Sequence, residues 1–295
     1  MIISKLTGGL GNQMFQYAVG RRIAYINNTS LKIDITGYEN QLGITKRTYL
    51  LHVFNAKEDF ANSEEIDKLK KSNKIFIIKY FLKFTKQKIP YYNQSYIQEK
   101  HYHFDKSILK IGDNVYLEGY WQSEKYFKDI ENIIRKEFIF KKEPDEINKK
   151  TIDKITHSNS VSIHVRRSDY VYDKKTSEFH GFCDLDYYHK AVSTIAKRVE
   201  KPHFFIFSDD PLWVKQNLIL KYPCDYINHN VGKKDYNDLK LMSNCHHNII
   251  ANSSFSWWGA WLNKNPKKTI IAPKKWFRNP KINTEDLIPQ QWIRI

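Results

Sequence analysis

Two adjacent arginines, Arg166 and Arg167, are the residues whose type and position most clearly indicate chemistry. They directly follow the apolar run 161–165, in a chain that has 48 basic residues of which only 9 are arginine. A guanidinium group keeps its charge and binds phosphate oxygens through two parallel hydrogen bonds. The pair therefore indicates a site for a phosphorylated ligand, because two guanidinium groups can neutralise a diphosphate leaving group without a metal. An ion pair with Asp169 is the structural alternative, and it would explain one arginine but not both.

Polar residues also follow two other apolar runs in the second half of the chain. They are Asp209 and Asp210 after the run 204–207, and Asn252, Ser253 and Ser254 after the run 249–251. Ligands gather at the carboxyl ends of parallel strands, so we expect these residues to converge with Arg166 on one ligand. Capping of a helix or turn explains each set equally well, since Pro211 follows the two aspartates. His164 by itself is more typical of a satisfied buried histidine, but its arginine neighbours favour a place in the site.

A glycine-rich loop, 7–13, connects the first apolar segment of the chain to a helical pattern. Such a loop lets backbone N–H groups approach an anion at the positive end of a helix. Gly9, Gly11 and Asn12 are therefore candidates for binding a phosphate or a sugar. The loop is neither a Walker A motif nor GxGxxG, because no Gly-Lys-Ser/Thr ends it and Met14 stands where the third glycine belongs. A turn with a purely geometric role is the alternative.

Two other clusters resemble metal sites, and both have simpler explanations. Asp184 and Asp186 have the spacing of the DxD metal motif, but Asp186 is well placed to cap the helical pattern 188–199. The adjacent side chains of the segment 245–247 (Cys-His-His) do not converge on one point. Asp238 begins another short helical pattern, where capping is its simplest role. We therefore expect no metal site.

The elements that must position these residues are short apolar runs that alternate with helical patterns. The runs that read as strands are 1–6, 161–165, 204–207, 249–251 and 269–272. Strands alternating with helices predict an α/β fold with parallel sheets and crossover helices. A polar stretch, 141–160, separates two apolar regions, so we place the connection between two domains within it or a little before it. The predicted domains are 1–155 and 156–295.

Composition excludes several classes of protein. The 295 residues are 41% hydrophobic and 27% charged, as in ordinary globular chains, which excludes a disordered or fibrous protein. The three cysteines have neither zinc-site spacing nor the density of a disulfide scaffold, which favours a reducing compartment. No apolar run approaches the ~20 residues of a membrane helix, and the first residues do not resemble a signal peptide. We therefore expect a cytoplasmic protein.

The net charge of +16 raises three kinds of partner, namely nucleic acid, an anionic membrane surface and a phosphorylated substrate. Lysine is scattered in pairs and does not form one basic block, which is typical of a solvated surface. Arginine is scarce, and no zinc-finger or RNP-like motif is present, so we expect no nucleic-acid partner.

Five motifs, in this order, resemble those of the bacterial alpha-1,2-fucosyltransferases of glycosyltransferase family 11. They are the segments 8–18 (GGLGNQMFQYA), 119–127 (GYWQSEKYF), 164–170 (HVRRSDY), 207–210 (FSDD) and 252–261 (NSSFSWWGAW). The tail from Pro273 to Ile295 also resembles the ending of the family, so the resemblance covers essentially the whole chain. The His-x-Arg-Arg-x-Asp set is shared with alpha-1,6- and protein O-fucosyltransferases.

The resemblance implies a GT-B fold, with two Rossmann-like domains facing a cleft. It implies that the first domain binds mainly the acceptor and the second mainly GDP-fucose, with the C-terminal tail a candidate for return to the first domain. It also implies an inverting transfer of fucose to a galactose hydroxyl that needs no metal or other cofactor.

Some roles carry over by position. Arg166 resembles the residue that grips the β-phosphate of the donor, with Arg167 and His164 beside it. By the same resemblance, Asp238 corresponds to the acid that reads guanine. Ser253 and Ser254 fall where relatives place a serine that contacts phosphate. Ser168 stands where many members have glycine, which affects local loop geometry.

Neither spacing nor resemblance identifies the base that removes the proton of the acceptor hydroxyl. Glu118, Glu124 and Asp169 are candidates, and so is the leaving phosphate itself. The resemblance implies an alpha-1,2-fucosyltransferase that acts on terminal galactose of a surface-glycan precursor, with its basic surface near an anionic membrane. A fucosyltransferase of another linkage, a glycan-binding module without catalysis and an RNA-binding protein are the alternatives.

Overall fold

The computed structural model describes residues 1–39, 41, 46–71, 94–167, 170–171 and 173–295. The described strands are β1 (Ile2–Lys5), β2 (Leu31–Asp34), β3 (Tyr96–Gln98), β4 (Val115–Glu118), β5 (Ser160–Val165), β6 (His203–Ser208), β7 (Cys224–Ile227), β8 (His247–Ile249), β9 (Ile270–Ala272) and β10 (Ile293–Arg294).

The described α-helices are α1 (Leu10–Ile26), α2 (Ser63–Lys70), α3 (Glu131–Glu137), α4 (Glu146–Thr156), α5 (Lys174–His180), α6 (Leu185–Ala196), α7 (Pro211–Asn217), α8 (Tyr236–Asn244) and α9 (Ser254–Leu262). Short 3-10 turns cover Thr36–Tyr38, Leu51–Val53, Lys106–Lys110, Glu124–Tyr126, Lys128–Ile130 and Gly232–Lys234.

The chain divides into two compact units. Unit 1 consists of Met1–Ile139 and Asn283–Leu287, and unit 2 of Phe140–Ile282 and Ile288–Ile295. Each unit has its own parallel sheet, so the predicted α/β class is confirmed. Among the described helices, none combines the length and the apolar composition that crossing a membrane requires.

The sheet of unit 1 has the strand order β2-β1-β4-β3, with every pairing parallel. Helix α1 follows β1 and packs closely on it. At Gly20, a Cβ atom would lie 2.9 Å from Ser4 Cβ and 2.9 Å from a methyl group of Leu31, so only glycine lets the helix approach this near. The close packing at Gly20 holds α1 against β1 and β2.

The sheet of unit 2 has the order β10-β9-β8-β5-β6-β7, again entirely parallel. The chain builds β6 and β7 on one side of β5, then returns to place β8 on the other side. The strand order therefore reverses between β5 and β8, as in Rossmann folds. All six residues of β5 are buried, which explains why its sequence is apolar without strict alternation.

Helix α6 covers one face of this sheet through Tyr188, Ala191, Val192 and Ile195, the apolar positions that the sequence pattern indicated. Its cap differs from the prediction. The side chain of Asp184 accepts a hydrogen bond from the backbone N–H of Tyr187, so Asp184 and not Asp186 caps the helix. Helix α6 therefore begins at Leu185, inside the DxD sequence, and Asp186 lies in its first turn.

Residues 140–155, which the polar sequence assigned to the first domain, lie in unit 2. Helix α4 buries little except Ile155 and Asn148, so its sequence reads as a polar linker. Asn148 exchanges hydrogen bonds with Asn230, each amide donating to the carbonyl oxygen of the other at 2.9 Å. This buried amide pair attaches α4 to unit 2.

Candidate functional site

The carboxyl ends of β5 and β8 lie side by side where the strand order of unit 2 reverses. In open parallel sheets, ligands bind in the crevice at this switch point. Arg166 and Arg167 follow β5, and Asn252 and Ser253 follow the end of β8 closely. The topology thus brings the two residue sets that the sequence singled out to one edge of the sheet.

Both arginines pair with acids that follow the neighbouring strand β6. Arg166 Nη1 lies 3.1 Å from Asp209 Oδ2, and Arg167 Nε lies 3.3 Å from Asp210 Oδ2. The backbone N–H of Arg167 also donates to Asp209 Oδ1 at 2.8 Å. The four side chains are only 12–20% exposed. Asp169, the ion-pair partner considered from sequence, lies outside the described residues.

Aromatic rings flank the two guanidinium groups. Arg167 Cζ lies 3.4 Å from the ring centroid of Trp213, a stacked contact, and Arg166 Cζ lies 5.5 Å from that of Tyr170. Asp210 accepts a hydrogen bond from the backbone N–H of Trp213, so its capping role in α7 coexists with its ion pair. No motif spacing indicated Trp213, whose position in the first turn of α7 places it beside Asp210.

His164 is buried next to this pair, and its Nδ1 atom has no hydrogen-bond partner among the described residues. Burial, and to a lesser extent the charge of Arg166, lower the pKa of His164 to about 3. The imidazole is therefore neutral at physiological pH. A neutral ring with an unsatisfied nitrogen can make one further hydrogen bond, but it is too weak a base to hold a proton near pH 7.

Asn252 and the two serines differ in how their side chains are used. The buried Asn252 amide donates to the carbonyl oxygens of His180, Gly181 and Trp276 at 3.2–3.3 Å, so it holds three segments together. Ser253 occupies the N-cap position of α9 without making a side-chain cap, and Ser254 is the first residue of that helix. The N–H groups at the start of α9 give this edge a positive potential.

Asp238 lies in the first turn of α8 and not at its cap, which is the position of Asp235. Asn230 donates to Asp238 Oδ1 at 2.8 Å and is itself held by Asn148. Burial, against the effect of the Asn230 hydrogen bond and with a smaller contribution from Asp235, raises the pKa of Asp238 to about 7. The ionised carboxylate is thus costly in this position and would be stabilised by donor groups of a ligand.

The glycine loop of unit 1 is held by side chains of α1 and of the segment after β4. Gly8 has a φ of +75°, and Gly9 occupies the N-cap position of α1. Asn12 Oδ1 accepts from Gln122 Nε2 at 2.8 Å, whereas Gly11 is buried in the first turn. Asn12 therefore connects the loop to the segment 119–127, the second motif of the resemblance.

The candidate bases of unit 1 have different surroundings. Glu118 lies 2.7 Å from Lys5 Nζ and accepts from the hydroxyl of Tyr96 at 2.6 Å. Burial raises the pKa of Glu118, but the contacts with Lys5 and Tyr96 have the larger combined effect and bring this pKa below its ordinary value. Glu124 forms an ion pair with Lys128 at 3.2 Å. Both carboxylates thus have cationic partners.

Glu99, which no spacing in the sequence indicated, lies at the carboxyl edge of the sheet of unit 1, directly after β3. Its two carboxylate oxygens accept hydrogen bonds from the backbone N–H groups of Tyr120, at 2.6 Å, and Trp121, at 3.0 Å. Burial raises the pKa of Glu99 to about 7, against the effect of these two bonds. Strand β3, which ends just before Glu99, has three residues and is too short to stand out in the sequence.

No group of three or more His, Cys, Asp or Glu side chains in the described part of the chain is arranged to hold a metal ion.

A family model and two proteins of Escherichia coli match this chain along essentially its whole length. The model of the family described as glycosyl transferase family 11 matches residues 1–295. An alpha-1,2-colitosyltransferase of Escherichia coli is 35% identical over 308 aligned positions, which cover 100% of this chain and 99% of that protein. The O-antigen biosynthesis glycosyltransferase WbnK of Escherichia coli is 31% identical over 320 positions, covering 99% of each chain. A galactoside 2-alpha-L-fucosyltransferase of Caenorhabditis elegans is 30% identical over 193 positions, or 60% of this chain and 51% of that protein.

The raised pKa of Asp238 predicts a pH-dependent gain in stability for Asp238→Asn. Between about pH 4 and about pH 7 the unfolded chain ionises this group and the folded chain does not, so wild-type stability falls as pH rises. The Asp238→Asn variant does not ionise at this position, so its stability does not fall in this way, and its amide oxygen can still accept the hydrogen bond from Asn230. Its thermal midpoint should equal that of the wild type at pH 4 and exceed it by about 2 °C or more at pH 8.

The control for this comparison is Asp153→Asn, an exposed acid on α4 of the same unit. It should shift the midpoint little at either pH. Equal midpoints for Asp238→Asn and the wild type at pH 8 would show that the Asp238 carboxylate carries no burial cost.

Proposed function

The chain belongs to glycosyl transferase family 11, and on that premise we propose that it transfers L-fucose from GDP-fucose to the 2-hydroxyl of a terminal galactose. The acceptor in this proposal is an O-antigen-like surface glycan, as its precursor or as an oligosaccharide. The Arg166–Arg167 pair at the switch point of unit 2 is the observation that carries the proposal.

In this proposal unit 2 binds the donor. Arg166 binds the β-phosphate, and Arg167 and His164 contribute beside it, the latter through its unsatisfied nitrogen. Ser253 and Ser254 contact the phosphates at the start of α9, where backbone N–H groups favour an anion. Because Asp209 and Asp210 already fix the guanidinium groups, binding GDP would order few additional side chains.

Asp238 reads guanine in this assignment. The Watson–Crick edge of guanine carries two neighbouring N–H donors, and a carboxylate can accept from both. Asn230 holds one oxygen of Asp238 in place at 2.8 Å. The remaining acceptor sites of the Asp238 carboxylate match the two N–H donors of guanine. This match favours guanine over adenine.

Unit 1 binds the acceptor in this proposal. Gly9 and Asn12 lie at the start of α1, beside the carboxyl end of β1, and Tyr120, two residues after the end of β4, is 38% exposed. Exposed tyrosine rings stack on the apolar faces of sugars, and amides bind sugar hydroxyls. Both chemistries are those that a galactoside requires.

The reaction then proceeds by inversion at the anomeric carbon. The galactose O2 atom forms a bond to C1 of fucose while the C1–O bond to the β-phosphate breaks, and GDP leaves with the electron pair. The guanidinium groups stabilise the charge that develops on the leaving phosphate, so the proposed reaction is metal-independent. The proton of the acceptor hydroxyl must pass to a base. Of the candidates from the sequence, Asp169 lies outside the described residues, and Glu118 already forms an ion pair with Lys5.

Colitose is the second candidate for the transferred sugar, because the alpha-1,2-colitosyltransferase is 35% identical over the whole chain. Colitose is L-fucose without its 3-hydroxyl group. The contacts proposed here for GDP would therefore serve GDP-colitose equally well, and contacts to O3 would decide between the donors.

Product formation from the two donors, with a panel of β-galactosides and EDTA, tests the proposal. We expect transfer of fucose, with NMR placing the new linkage at galactose O2, and undiminished rates in EDTA. Preference for GDP-colitose would establish the second candidate. Transfer to another hydroxyl would contradict the linkage, and glycan or RNA binding without release of GDP would favour the non-catalytic alternatives.

We also propose that the protein is cytoplasmic and contacts an anionic membrane that carries the acceptor. The net charge of +16 supports an electrostatic contact, worth ~1 kcal/mol for each basic residue near the surface. Co-sedimentation with vesicles containing phosphatidylglycerol should fall steeply as salt rises, and phosphatidylcholine vesicles serve as control. Absence of binding at low salt would exclude this contact.

A further inference from the structure

We propose that Glu99 is the base that accepts the proton of the attacking galactose hydroxyl, an inference that rests on the proposed function above. In this step the O2–H bond breaks and the proton passes to the Glu99 carboxylate. The electron pair of that bond forms the O2–C1 bond, and the C1–O pair leaves with GDP. Atoms and charge balance without a further reactant.

Glu99 lies at the edge of unit 1 where ligands are expected. It directly follows β3, and its backbone N–H donates to the carbonyl oxygen of Glu118 at 2.8 Å, at the end of β4. The glycine loop follows β1, which pairs with β4. The carboxylate thus belongs to the same edge of the sheet as the candidate acceptor-binding loop.

The turn after β4 is built around this carboxylate. The backbone N–H groups of Tyr120 and Trp121 each donate to one oxygen, and Trp121 has the unusual φ of +55° that this geometry requires. A Cβ atom at Gly119 would lie 2.4 Å from Glu99 Cβ, so only glycine allows the approach. Each oxygen keeps a second lone pair, which can accept a substrate hydroxyl.

The other acids at this edge are poorly suited to take up a proton. Glu118 is paired with Lys5 and hydrogen-bonded by Tyr96. Asp34 is buried and accepts from the hydroxyls of Tyr116 and Thr36. In both, the contacts outweigh burial and lower the pKa. In the described part of the chain, no cation pairs with Glu99.

The surroundings also give Glu99 the basicity that the step needs. Burial raises its pKa to about 7, and a general base is most effective when its pKa is near the working pH. The titratable groups that interact with it are Tyr102, Tyr120 and Tyr126, and burial raises the pKa of each. These neighbours are neutral at pH 7 and leave the carboxylate free to titrate.

The pH dependence of kcat, with donor and acceptor both saturating, tests the assignment. Wild-type kcat should rise about tenfold per pH unit below about pH 7 and level off above it, because only ionised Glu99 accepts the proton. Glu99→Gln should lower the plateau by about 10²-fold or more, remove the rising limb and leave both KM values nearly unchanged. In the proposed function, Asp238 affects only the KM for the donor. When the donor is saturating, the ionisation of Asp238 therefore does not contribute to the pH dependence of kcat.

Glu118→Gln and Asp169→Asn are the matched controls, since both residues are carboxylates considered for the same role. Both should keep the rising limb. Loss of the limb in either control, together with its retention in Glu99→Gln, would transfer the role to that residue and overturn the proposal. A lower kcat in Glu99→Gln with the limb intact would show that Glu99 only supports the Gly119–Trp121 turn.

If Glu99→Gln does not fold, the Glu99→Asp variant and the wild-type pH profile test the role of Glu99. Glu99→Asp retains a carboxylate and should show the limb at reduced kcat, and a wild-type profile without a limb near pH 7 would overturn the proposal directly. Transfer by the wild type is measured first. Failure of the wild type to form product would overturn the proposed function and this inference together, whereas a fully active Glu99→Gln variant would overturn only the inference.

Discussion

Two arginine–aspartate pairs join the ends of β5 and β6, and the candidate donor site of unit 2 depends on them. Adjacent guanidinium groups that are only 12–18% exposed would repel each other and lose hydration without counter-charges. Asp209 and Asp210 supply those charges, and Trp213 stacks on one guanidinium at 3.4 Å. The arginines are therefore fixed before a ligand arrives. Removal of one acid would leave a largely buried charge uncompensated, so each pair is a strong constraint on the loops after both strands.

Two partly buried carboxylates, one in each unit, follow a different principle. In the described part of the chain, Asp238 and Glu99 are held by N–H donors without a cationic partner, and burial raises the pKa of each to about 7. Burial of such an acid lowers the stability of the free protein. It also makes the carboxylate better able to accept a hydrogen bond or a proton from a ligand. By contrast, the carboxylates with clear structural roles, Glu118 and Asp34, have hydrogen bonds that lower the pKa.

Several parts of this arrangement follow from sequence alone. The fully buried β5 and the amphipathic α6 produce strong local patterns, and the rarity of arginine singles out Arg166 and Arg167. Other parts depend on contacts that no local pattern encodes. The polar helix α4 attaches to unit 2 through the Asn148–Asn230 amide pair and an ion pair between Lys154 and Asp225. Glu99 acquires its surroundings only when the turn after β4 closes around it. The true cap of α6 differs from the predicted one because Asp184 and Asp186 are both chemically suitable.

We propose that Arg166 holds the terminal phosphate of a guanine nucleotide at the switch point of unit 2, and the proposed function depends on this contact. Calorimetric titration of GDP and of GMP against the wild type, Arg166→Ala and the exposed-site control Arg198→Ala tests it most directly. We predict that Arg166→Ala weakens GDP binding at least tenfold, about 1.4 kcal/mol, with GMP affinity unchanged and no effect of Arg198→Ala. Equal losses for GDP and GMP, or no loss for either, would contradict this account of the site.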